Sequence, residues 1–147
     1  MNEVDFEEIE SLISSFGWYG FGNKKFNCPG LTEENIMFYL ENKKLPPLCD
    51  SCYKALIFWS DYYSEEGVNN LFRMLEEESL IVRGKFNHSV VVFYFDKKEE
   101  VLSFVEFLKK KLSQYGINGG VQWRRACKGY QVLKPNWWKS AKEFNPP

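Results

Sequence analysis

Apolar residues recur at three- and four-residue spacing in the first stretch of the chain. Phe6, Ile9, Leu12, Ile13 and Phe16 mark one face of a helix that Gly17 ends. The glycine- and aromatic-rich stretch after it, GWYGFGNKKFNCPG, reads as a loop whose rings pack on the body. Thr32, followed by Glu33 and Glu34, opens a second helix with Ile36, Met37 and Leu40 on its apolar side. That helix gives way to KKLPPLC, where consecutive prolines predict extended chain.

From residue 53 the pattern changes. KALIFWS predicts a short buried strand, and EEGVNNLFRMLEEE a helix facing inward through Val68, Leu71, Phe72 and Leu75. LIVRGKF and SVVVFYF are β-branched and aromatic runs joined at Asn87-His88, which predicts a hairpin. A longer helix follows, with Val101, Phe104, Val105, Leu108 and Leu112 inward. VQWRRA, after the NGG break, is the last strand. Strand, helix, strand, strand, helix, strand is the order of a ferredoxin-like α+β sandwich. The predicted organisation is a helical extension over residues 1–52, packed on a ferredoxin-like domain over 53–147 that ends in a basic, Trp-rich tail. SVVVFYF is apolar on both faces, while this architecture lays helices on one face only, so the other face needs a cover.

Composition permits this without staples: of 147 residues, 44% are hydrophobic and 18% aromatic, enough for a core of large side chains. The net charge of −1 does not by itself advertise a nucleic-acid or membrane partner. Its distribution is uneven: residues 1–16 carry five acids and no base, and residues 117–147 carry six cations and one acid. Two solvated faces account for this as well as a partner site does. The acidic start is unlike a signal peptide, and no apolar run approaches the roughly 20 residues that span a bilayer. The expectation is a cytoplasmic protein without a membrane partner. There, cysteines serve better as thiols or metal ligands than as disulfides.

The candidate chemistry lies in four cysteines. Cys49 and Cys52 form a C-x-x-C pair just before the first strand of the βαββαβ unit, and Cys127 just follows the last. Those two strands are neighbours in this architecture, and neighbouring strands lie roughly 5 Å apart. The topology therefore gathers three thiols at one end of the sheet. Cys28, in the NCPG turn, supplies a fourth and completes a tetrahedral all-thiolate set for structural zinc, or for an iron–sulfur cluster. Buried cysteines without a ligand fit the same sequence. His88, the lone histidine, sits at the hairpin tip at the opposite end and is excluded as a ligand. Thiol–disulfide exchange is the competing chemistry, with Arg124, Arg125 and Lys128 supplying a positive field. It calls for the pair at the head of a helix, whereas here it precedes a strand.

A second candidate surface combines Trp123, Arg124, Arg125, Lys128, Trp137, Trp138 and Lys139. Aromatic planes between cations suit single-stranded RNA or a nucleotide. Anchoring of the tail by its tryptophans is the plainer role for the same rings. No hydrolase triad can be built around His88, and the glycines near residue 20 lack the ending of a phosphate loop. The expectation is a small binding module with a structural zinc, whose ligand is RNA or another phosphate-bearing molecule. A redox protein and a protein–protein adaptor are the alternatives.

Overall fold

A computed structural model describes residues 5–22 and 32–125. The architecture is α+β: one antiparallel sheet of five strands, with helices packed on it. Helix α1 (Phe6–Phe16) starts where the Asp5 side chain accepts from the Glu8 N–H at 3.1 Å. It ends on Gly17, whose φ of 82° is the left-handed conformation that glycine tolerates best. Ile9 and Ile13 enter the core, while Phe16, at the end of the stripe, remains exposed.

Tyr19–Gly22, read from the sequence as loop, is instead strand β1, paired antiparallel with β3 (Arg83–Phe86). Its alternation explains it: Tyr19 and Phe21 pack against the core, and Gly20 and Gly22 take the alternate positions. Glycine at alternate positions suppresses the strand signal, because Gly has little preference for extended chain. Phe21 crosses directly over Gly84 of β3, where a Cβ would lie 2.6 Å from the phenylalanine Cζ.

Helix α2 (Glu33–Asn42) is capped as expected, Thr32 accepting from the Asn35 N–H at 3.1 Å. Its buried side is only partly the expected one: Ile36 is half-buried, but Tyr39 is the residue inside, and Met37 and Leu40 are exposed. The proline pair also behaves differently. Pro46 is extended, but Pro47 is the first residue of a one-turn helix, α3 (Pro47–Asp50). Proline fits that position because the missing N–H has no partner there anyway and its φ is already helical.

The remaining elements are β2 (Tyr53–Phe58), α4 (Glu65–Glu77), β4 (Val90–Phe95), α5 (Lys98–Lys111), a 3-10 turn (Leu112–Tyr115) and β5 (Gly120–Arg125). The sheet order is β1-β3-β4-β2-β5. The last strand lies beside β2 as expected, but β1 adds a fifth strand, so the sheet is not the four-stranded one anticipated. The main core forms where Ala55, Ile57, Phe86, Val91 and Phe93 meet α1, α4 and α5. All five inward residues expected for the α5 region are buried.

On the opposite face Leu56, Val92 and Tyr94 are only 6%, 4% and 7% exposed. Trp18, Cys52 and Val90 pack against them. The centre of that face is therefore closed, not an open stacking platform. At the hairpin, Asn87 Oδ1 accepts from the N–H groups of Ser89 and Val90, and the Trp59 indole N–H donates to the Asn87 carbonyl at 3.0 Å.

Candidate functional site at the β2–β5 end of the sheet

Six residue pairs run from Tyr53 opposite Arg125 to Phe58 opposite Gly120. This register puts the start of β2 beside the finish of β5. Cys49 lies on the α3 turn and is buried; Cys52 is half-buried, one residue before Tyr53. The turn is tight because backbone bonds close it: Cys49 N–H and Asp50 N–H both donate to the Pro46 carbonyl, and Cys52 N–H donates to the Cys49 carbonyl at 3.2 Å.

Arg125 fastens this turn to the end of β5. Its Nε and a terminal N–H donate to the Asp50 carbonyl at 3.2 and 3.1 Å, and the same terminal nitrogen pairs with the Asp50 carboxylate. The guanidinium also lies over the Tyr53 ring, 5.4 Å from its centroid. A planar fork that grips a carbonyl and a carboxylate together is a contact lysine cannot copy.

Strand alternation divides the cationic run. Trp123 packs on the helix side of the sheet, with Lys98 Nζ 5.5 Å from its ring. Arg124 points to the other face, over Phe58 at 5.7 Å. Trp123, Arg124 and Arg125 thus do not share one surface, as their adjacency in sequence suggested. Cys28, Cys127, Lys128, Trp137, Trp138 and Lys139 lie outside the described residues. Among the described residues no group of three or more Cys, His, Asp or Glu side chains is gathered in a metal-binding cluster.

His88 is at the far end of the sheet, since Val90 pairs with Phe58. Its Nε2 lies 2.8 Å from the Glu10 carboxylate, and its ring is 4.5 Å from that of Tyr63. Burial pushes the Tyr63 phenol up, and the Glu10 carboxylate adds to the shift. This cluster ties α1 to the hairpin tip. No local pattern announces it, because Glu10 and His88 are 78 residues apart.

No family model, curated protein or solved structure matches this chain. What can be said of function therefore rests on the residues themselves. Residues 53–58 are strand and not helix, so the C-x-x-C pair lacks the following helix that would favour thiol–disulfide exchange. Among the described residues, no helix is long and apolar enough to cross a membrane.

Proposed function

We propose that this protein is a small binding module whose N-terminal portion is tied to the sheet by a four-cysteine zinc site. Its ligand is single-stranded RNA or another phosphate-bearing molecule. The observation that carries the reading is the Tyr53–Arg125 pairing. Cys52 precedes one member of that pair by a single residue, and Cys127 follows the other by two. The pairing sets the end of β5 beside the C-x-x-C turn, which supports the reading because Cys127 is only two residues further on in sequence. Cys28 would complete the proposed set, four thiolates being the donors of a closed structural zinc site.

We read β2 to β5, with α4 and α5, as a ferredoxin-like unit that β1 extends by one strand. In favour of the ligand class stand Arg124 and the further cations on its face of the sheet. Phosphate attraction, not stacking, is the leading contribution, because the centre of that face is closed. Binding of a single-stranded RNA should therefore weaken steeply with salt, with a slope of about −0.7 per phosphate neutralised. Arg124→Ala should reduce the slope by roughly that amount. An unchanged slope in Arg124→Ala, or RNA retention indifferent to salt, would remove RNA from the account.

A further inference from the structure

We infer that Lys54 and Arg124 form a phosphate-binding pair on the sheet face opposite α1, α4 and α5. The inference rests on the ligand reading above and deepens it by naming its seat. Lys54 and Arg124 are directly opposite in the β2–β5 register. Side chains so placed project from the same face with Cβ atoms about 5 Å apart, and like charges there destabilise a sheet. Among the described residues neither cation pairs with a carboxylate that would relieve the repulsion.

Arg124 Nε is moreover buried with no hydrogen-bond acceptor. A buried donor left unmade costs stability, and an anion between the two side chains supplies the acceptor and cancels the repulsion together. The surroundings suit that anion. Phe58, on the same face, holds the guanidinium from one side, and Gln122 is two residues along on the same face of β5. Lys85 and Arg83 are further cations across the sheet. The carboxylate beside them, Asp96, is held by Arg83 at 2.5 Å. An incoming phosphate therefore meets Lys54 and Arg124 first, in the positive field of Lys85, on a face whose nearby carboxylate is already engaged by Arg83.

The chemistry recognised is a phosphate dianion or diester, whether free or in a polynucleotide backbone. The full chain should be tested with pyrophosphate and, separately, with a short oligouridine. Pyrophosphate should raise the thermal midpoint of the wild-type protein, and Lys54→Gln and Arg124→Gln should each abolish the rise. Lys54→Gln should by itself raise the ligand-free midpoint, by roughly 1–2 °C, because a like-charge pair has been separated. Lys109→Gln, on the last turn of α5, should leave the pyrophosphate response intact. Loss of about tenfold in oligouridine affinity in the same two variants, a change of about 1.4 kcal/mol, makes the polynucleotide backbone the source of the phosphate. A pyrophosphate effect without any oligouridine binding defeats the RNA reading while the pair stands as a site for a free phosphate ligand. A wild-type midpoint indifferent to pyrophosphate, or variants that respond as the wild type does, would overturn the pair.

Discussion

Arg125 shows how much one side chain can decide. In the sequence it is one cation among six near the C-terminus, and its adjacency to Arg124 suggests a shared role. Strand alternation separates them: Arg124 faces the sheet surface opposite α1, α4 and α5, and Arg125 is committed to Asp50 between the two cysteines of the turn. Its side chain is 18% exposed, whereas the Asp50 side chain is 60% exposed, so the carboxylate contributes less than the carbonyl contacts. Arg125→Gln is expected to cost about 1 kcal/mol and to speed alkylation of the buried Cys49 in metal-free protein. Arg125→Lys, which keeps the charge but not the fork, should behave like the glutamine variant. Labelling at the wild-type rate would show that the turn holds without the strap.

A buried tyrosine, Tyr39, and a half-buried one, Tyr63, give a residue-scale prediction in pH. Burial raises the phenol pKa of Tyr39 and Tyr63, in Tyr63 with help from Glu10. Above about pH 10 the unfolded chain releases these protons while the folded chain holds them, so the unfolded state gains. Their contribution is fully present below that pH and is lost as pH rises through the folded-state values. Tyr63→Phe should flatten the alkaline decline in stability, as followed by denaturant unfolding at several pH values. A decline as steep as the wild type's would show that the phenol is not held neutral.

The elements were legible to the extent that their periodicity was uncontaminated. In α5 every inward position follows the 3.6-residue repeat, and all are buried. In α2 the apolar residues alone point to Ile36, Met37 and Leu40, because the sequence pattern cannot say which side of a peripheral helix meets the body; Tyr39 is the residue buried there. Strand β1 was hidden since half of it is glycine, and the reason for glycine in its partner β3 is tertiary. Gly84 leaves room for the Phe21 ring, and a Cβ would also meet the Val92 carbonyl of β4. Gly84→Ala should destabilise the protein by about 2 kcal/mol. Its unfolding midpoint in urea should drop accordingly; an unchanged midpoint would mean that β1 is not docked as described.

At the scale of the whole molecule, the antiparallel βαββαβ order was enough to bring the start of β2 beside the end of β5. Topology thereby located the C-x-x-C turn relative to Arg125, although Asp50 and Arg125 are 75 residues apart. It did not reveal the strap, the face division of Trp123, Arg124 and Arg125, or the Glu10–His88–Tyr63 contact. Those depend on side-chain direction and on the packing of α1, which no local pattern encodes. The central claim is that a metal held by Cys28, Cys49, Cys52 and Cys127 ties the N-terminal portion to the sheet. Elemental analysis of freshly purified protein, combined with thiol titration before and after denaturation, tests it most directly. One zinc per chain, with four thiols becoming reactive only when the metal is released, is the predicted result. Protein that contains no metal, with thiols that titrate independently of chelator, would contradict it.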